Sequence, residues 1–189
     1  ILTRDFKYAF NGDRGPMSGG MAVYTRPNTP DGFEEYVMKN MAMPDVRGMA
    51  KEDRLFKGTL YLGIIEDGND LLLSEFNARY GDPETQTQMR LLKSSLIDMS
   101  MACIDGTLDR IKPEWSSEEA ACIVIATPGY PTDYGKNLGR HLHIEELPDY
   151  NVVFHAGTGF REDLLVNTGG RIVDGYGNTS SGSFVLSTT

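Results

Sequence analysis

Apolar residues recur along this chain at different spacings, and each spacing predicts an element. Residues 59–66, TLYLGIIE, and 71–76, LLLSEF, are apolar and β-prone runs, with Asp67-Gly68-Asn69-Asp70 between them. Two such runs around an Asp-Gly turn predict a β-hairpin. Phe33, Tyr36, Val37 and Met41 fall at helical spacing, which predicts a helix over 31–50. Met89, Leu92, Leu96, Met99 and Cys103 repeat at intervals of three and four, the apolar face of one amphipathic helix. Gly106 is placed to stop it.

Beyond residue 110 the pattern shortens. ACIVIAT at 121–127, VVFHAG at 152–157 and GRIVDG at 170–175 are brief β-type runs parted by Gly, Pro and Asn, with no long helical stretch between them. The polar segment 107–119 therefore reads as a domain boundary. The expected organisation is α+β, with residues 1–110 as one part and 111–189 as a small β-rich part. Residues 11–20, NGDRGPMSGG, read as a turn-rich loop, since Pro16 and its glycines disfavour regular structure. The last stretch, GNTSSGSFVLSTT, is polar and reads as weakly structured.

Composition narrows the function. The formal net charge is -9 and the sequence pI is about 4.8. A negative surface repels nucleic acid and anionic lipid, so any phosphate site must be local. No apolar run approaches the ~18–20 residues of a membrane span, and the first residues show no apolar core of a signal peptide. The chain does not begin with Met, which suggests that it starts within a longer protein. Cys103 and Cys122 each sit in apolar stretches without CxxC spacing and read as buried, reduced thiols, in keeping with a reducing cytoplasm.

The strongest chemistry lies at Glu75, Asn77, Arg79, Asp82 and Glu84. Strand alternation would put Glu75, Asn77 and Arg79 on one face. Glu75 and Asn77 offer the oxygen ligands that Mg²⁺ prefers, and Arg79 offers a forked donor for phosphate or carboxylate. An exposed strand face with one salt bridge is the plain alternative. Asp82-Pro83-Glu84 also suits ordinary capping of a following helix. The segment Gly12–Met21 could cradle an anion on its backbone N–H groups, or be a simple surface turn. His155, inside an apolar run, reads as packed and hydrogen-bonded. His141 and His143 alternate but have no third ligand spaced to join them in a metal site.

These residues together resemble a known family. Arg79-Tyr80-Gly81-Asp82-Pro83-Glu84-Thr85-Gln86 is similar to the signature octapeptide of the phosphoribosylamine–glycine ligases, which usually carry Phe at the Tyr80 position. Leu73–Arg79 resembles the metal-binding strand of ATP-grasp ligases. Gly12–Met21 resembles the family's glycine-rich loop, although Ala22 stands where Gly is usual. Gly129-Tyr130-Pro131, Val153–Thr158 and Thr168-Gly169-Gly170-Arg171 resemble its C-terminal domain, and the likeness fades after about residue 173.

The resemblance implies the C-terminal half of an ATP-grasp domain followed by a small, incomplete C-terminal domain. It implies a cytoplasmic enzyme of purine synthesis that joins glycine to 5-phosphoribosylamine through glycyl phosphate, with ATP as co-substrate. Glu75 and Asn77 would hold Mg²⁺, or Mn²⁺ in its place. Arg79 and Asp82 would be catalytic, with Asp82 orienting Arg79 or the incoming amine. Gly15, Ser18, Gly19 and Gly20 would line the substrate pocket. The family's N-terminal and ATP-clamping domains have no counterpart here, so the chain alone would be inactive. Two other readings stand beside this one: another ATP-grasp ligase, such as a glycinamide-ribonucleotide transformylase or carboxylase-type enzyme, and a non-catalytic remnant or binding module.

Overall fold

The computed structural model describes residues 1–68, 70–144, 147, 149, 151–177 and 186–188. Thr3–Phe10 (β1) and Arg14–Thr25 (β2) form an antiparallel pair, followed by the helical segments Phe33–Val37 (α1) and Met43–Lys51 (α2). Next come Tyr61–Asp67 (β3), Asp70–Asn77 (β4), Glu84–Leu91 (α3) and Leu96–Asp105 (α4). The rest is mostly strand: Ala121–Ala126 (β5), Leu142–Ile144 (β6), Val152–His155 (β7), Thr158–Arg161 (β8), Leu164–Asn167 (β9), Arg171–Gly177 (β10) and Leu186–Thr188 (β11).

A five-stranded antiparallel sheet in the order β1-β2-β5-β10-β7 organises the chain. The hairpins β3–β4 and β8–β9 and the pair β6–β11 are separate two-stranded sheets. The core follows strand alternation. On β5, Cys122 and Val124 are buried and Ile123 between them is exposed. Ile172 and Val173 are each 1% exposed and pack with Leu142, Ile125, Val153 and Leu165. Leu91 and Ala120 form a second cluster with Trp115, Val152 and Phe154.

The hairpin expected over 59–76 is present as β3–β4, and the three late β-runs are β5, β7 and β10. The helix expected over 31–50 is present with a change of pitch. Met38–Ala42 is wound as a wider turn, and the Met43 N–H bonds to the carbonyl of Met38, five residues back. Pro44 follows at once and has no N–H to continue the regular ladder, which makes the loosened turn a low-cost solution.

Two expectations fail. The helix read over 89–103 is two helices, broken at Leu92–Ser95. There the backbone pairs sideways: the Lys93 N–H donates to the Glu114 carbonyl, and the Ser116 N–H to that of Leu91. Leu92 thus bridges Trp115, and Ser95 caps α4 by accepting from the Asp98 N–H at 3.2 Å. Gly106 ends α4 in the left-handed conformation, φ 71°, as expected. The loop read over 11–20 is mostly strand, because β2 begins at Arg14. Its ladder is interrupted, with Ala22 opposite Phe6 but Met17 opposite Tyr8. Ser18–Met21 therefore face Lys7 alone and bulge out of the sheet.

The segment near residue 110 is crossed by the main sheet, since Ala22–Tyr24 of β2 pair with Ala121–Ile123 of β5. Thr25 staples that junction. Its hydroxyl donates to the Ala120 carbonyl and accepts from the Ala120 N–H. The tail read as weakly structured lies partly outside the described residues. Leu186–Thr188 within it pair with β6.

Candidate active site

The site starts at an irregularity in β4. Gly63 stands opposite Glu75 while the next residue, Ile64, stands opposite Leu73. Ser74 is therefore an extra residue, and this bulge sits immediately before Glu75. Bulges re-aim the side chains that follow them and are common beside active sites. Gly63 is needed here, because a Cβ on it would lie 2.9 Å from Glu75 Cγ. Glu75 is exposed and Asn77 half-buried, two residues apart on the same strand. The Asn77 amide nitrogen is buried without a hydrogen-bond partner among the described residues.

Strand β4 ends at Asn77, so Arg79 does not share its alternation as expected; it lies in the bend that follows. Its guanidinium is exposed and donates to the neighbouring Tyr80 carbonyl at 2.9 Å. Asp82 does not cap α3 with its side chain. Nor is Arg79 its guanidinium partner. Its carboxylate receives Arg171 at 2.8 and 3.0 Å and the Gln86 amide at 2.8 Å.

Arg171 and Gln86 both also bind Asp174, at 3.2 and 2.7 Å. Asp174 is only 2% exposed. Burial raises its carboxyl above the usual range, with Arg171 and Gln86 opposing. Burial lowers the Arg171 guanidinium, but the Asp174 and Asp82 carboxylates outweigh it and the net shift is upward.

Glu84 is buried behind this loop and accepts from the Tyr61 hydroxyl at 3.0 Å. Its carboxyl is raised above the ordinary range by burial first, and further by nearby Asp5, which pairs with Lys7 at 2.6 Å. The Tyr61 phenol is raised as well, by burial and then by Glu84. A Cβ on Gly81 would meet Glu84 at 2.5 Å, and one on Gly20 would meet Pro83 at 2.6 Å. Glycines thus let β2, the octapeptide and α3 close upon one another.

The Gly-rich segment is the wall of this junction, and its polar groups are largely occupied. Ser18 donates to the Lys7 carbonyl and accepts from the Gly20 N–H. The Gly19 N–H donates to the Tyr130 hydroxyl at 3.4 Å. Gly15 has φ 84° and lies under the Phe10 ring, where a side chain would collide. Beside the octapeptide a cavity of about 430 Å³ is lined by Tyr80, Gly81, Asp82, Thr85, Gln86, Met89, Phe154 and His155. His155, read from sequence as packed, is exposed at the end of β7 and meets the Thr158 hydroxyl at 3.0 Å. Cys122 is buried, and its thiol is pushed up to about 12 by burial and Asp174. Cys103 is only half-buried. Among the described residues no group of three or more His, Cys, Asp or Glu could hold a metal, and no helix is long and apolar enough to cross a membrane.

Pattern reading did not assign roles to Arg171, Asp174, Tyr61 or Asp5. The available signal was a charged pair, three residues apart, inside the otherwise apolar run 170–175.

The mixed strands and helices make this an α+β chain. Residues 1–85 match the family described as phosphoribosylglycinamide synthetase, ATP-grasp (A) domain. The chain is 39% identical over 172 residues to a phosphoribosylamine–glycine ligase of Agrobacterium fabrum, covering 90% of this chain and 40% of that protein. It is 40% identical over 176 residues to the Salmonella typhimurium protein of the same name, covering 90% and 41%. A crystal structure of phosphoribosylamine–glycine ligase from Thermotoga maritima superposes with a TM-score of 0.79 at 28% identity, over 95% of this chain and 44% of that one. The chain therefore spans about two fifths of the length of these relatives.

Proposed function

We propose that this chain supplies the metal- and phosphate-handling half of a ligase that joins glycine to 5-phosphoribosylamine at the expense of ATP, in purine synthesis in the cytoplasm. The observation that carries the reading is the bulge at Ser74, which presents Glu75 and Asn77 directly before the Arg79–Gln86 turn. Residues 1–110 would contribute the ATP-grasp part and 111–189 a small β-rich part joined to it through β2 and β5. Segments outside these 189 residues would supply the adenine and α/β-phosphate contacts.

The donors fit a divalent cation of the Mg²⁺ type. Glu75 and Asn77 offer oxygen ligands only, in a pair too few to enclose an ion, which suits a cation that keeps waters and shares phosphate oxygens. The unpartnered Asn77 amide nitrogen is a donor, so it suits an acceptor such as a phosphate oxygen while the amide oxygen is left for the cation. When bound, such an ion would neutralise charge on the phosphate oxygens.

The chain's own residues do the rest. Arg79, exposed and among the described residues bound only to a neighbouring carbonyl, can turn its fork toward a phosphoryl group or the glycine carboxylate. Asp82, held by Arg171 and Gln86, fixes the turn that carries Arg79. Gly15, Ser18, Gly19 and Gly20 form the wall that keeps water from an acyl phosphate. The reaction moves the γ-phosphoryl group of ATP to the glycine carboxylate. The amine then displaces phosphate, giving the amide, ADP and inorganic phosphate. ADP release that depends on glycine, phosphoribosylamine and Mg²⁺ together in the full-length protein tests this. Glu75→Ala is expected to lower that rate by at least about 10²-fold, the scale on which transition-state electrostatics act, without shifting the melting temperature. ADP release indifferent to glycine would end the ligase reading.

A further inference from the structure

Two arginines meet at the octapeptide, Arg79 as its first residue and Arg171 from outside it, and the structure gives them different work. Arg79 is exposed and donates to the next residue's carbonyl. Arg171 comes from β10, 89 residues away from Asp82, and its side chain is 14% exposed. Its terminal nitrogens grip Asp82 at 2.8 and 3.0 Å and reach the buried Asp174 at 3.2 Å. Gln86 closes the ring by donating to both carboxylates, at 2.8 and 2.7 Å.

An isolated exposed ion pair contributes little. This one differs because its arginine is anchored on a carboxylate that is 2% exposed and is held in a two-pronged grip on the other. The gripped residue, Asp82, has a side chain 55% exposed, so the network reaches outward from the core to a surface turn. That turn joins the Glu75–Asn77 strand to α3, to which its backbone is tied by the Thr85 N–H donating to the Gly81 carbonyl at 3.1 Å. The same junction receives β2, since a Cβ on Gly19 would lie 3.9 Å from the Arg171 guanidinium.

We propose that Arg171 is a positioning residue for the reaction above: it clamps Asp82, and through it the turn that aims Arg79, while Arg79 itself meets the substrate. The proposal rests on the ligase reading. Small displacements at a phosphoryl-transfer site are expensive, about 10²-fold in rate for roughly 1 Å. Loss of the clamp should therefore appear in kcat and leave the ATP KM unchanged.

The test uses the full-length protein, assayed for glycine-dependent ADP formation. Arg171→Met alone strips buried Asp174 of its counter-ion and endangers folding, so it is paired with Asp174→Asn, which removes both charges. The double variant is expected to melt near the parent, to keep the ATP KM, and to lose about 10²-fold in kcat. Arg171→Lys keeps the charge without the fork and should fall between parent and double variant. A double variant that folds with parental kcat overturns the clamp, because the residue is then structural only. So does a loss confined to the ATP KM. An unmodified full-length protein that releases no glycine-dependent ADP overturns the ligase reading itself, and the clamp with it. The first two results leave the ligase reading intact.

Discussion

The five-stranded sheet and the β3–β4 hairpin are built from similar residues and end in opposite conditions. In the sheet, Val23, Cys122, Ile172 and Val173 are at most 1% exposed. In the hairpin, Ile65 is 53%, Leu72 49% and Phe76 43% exposed. Among the described residues the hairpin pairs only with itself, and a lone two-stranded ribbon is marginal in water. What ties it to the rest of the chain is a pair of side-chain contacts: Tyr61 to Glu84 on α3, and the exposed pair Arg4–Glu66 at 3.2 Å. The region with the candidate metal ligands is thus the less supported one, as expected where side chains must stay open to a ligand rather than fill a core.

Four changes would break or sharpen that contrast. The largest effect belongs to the sheet. Ile172→Ala leaves a cavity at a fully packed position and is expected to cost about 2–5 kcal/mol in urea unfolding. A loss under about 1 kcal/mol would show that the sheet is not the stabilising unit.

The next effect falls on the hairpin's anchor. Tyr61→Phe leaves buried Glu84 without its side-chain donor and should cost about 1–3 kcal/mol. The same pair has a pH signature. The folded Glu84 carboxyl lies above its ordinary 4.5, so across the window from that value up to the raised one the folded chain holds more protons than the unfolded. Stability should therefore fall as pH climbs through that window. Asp174, also raised, adds a slope of the same sign. Urea midpoints of Glu84→Gln measured against pH should be flatter than the parent's; an unchanged slope would place the effect elsewhere.

The smallest change is Ile65→Ala on the hairpin's open face, expected to cost about 1 kcal/mol or less because half the side chain is already in water. A cost equal to that of Ile172→Ala would erase the distinction between the two regions.

The contrast also explains what could be read without coordinates. The β3–β4 hairpin was legible because its turn, Asp67-Gly68, lies between two adjacent apolar runs, and every cause is local. The Glu75 and Asn77 pair and the octapeptide could be picked out for the same reason, as residues close together along the chain. The break between α3 and α4 was not, because Leu91–Lys93 abandons its helix to pair with Glu114–Ser116, and nothing in the 89–103 spacing records that partner. The Gly-rich segment misled in a similar way. Its glycines mark a bulge inside a strand, not the loss of the strand.

By itself, the sequence determined the β3–β4 hairpin, the late strands, the closeness of Glu75 to Asn77 and the resemblance that the comparisons support. Those follow from side-chain periodicity, turn chemistry and contiguous motifs. Tertiary structure alone decided which residues meet. It joined β2 to β5 across the polar segment near 110, buried Glu84 under Tyr61, and brought Arg171 to Asp82. The reason is physical: hydrogen bonds and close packing act over a few ångströms whatever the separation along the chain, and periodicity carries no record of a partner 89 residues away.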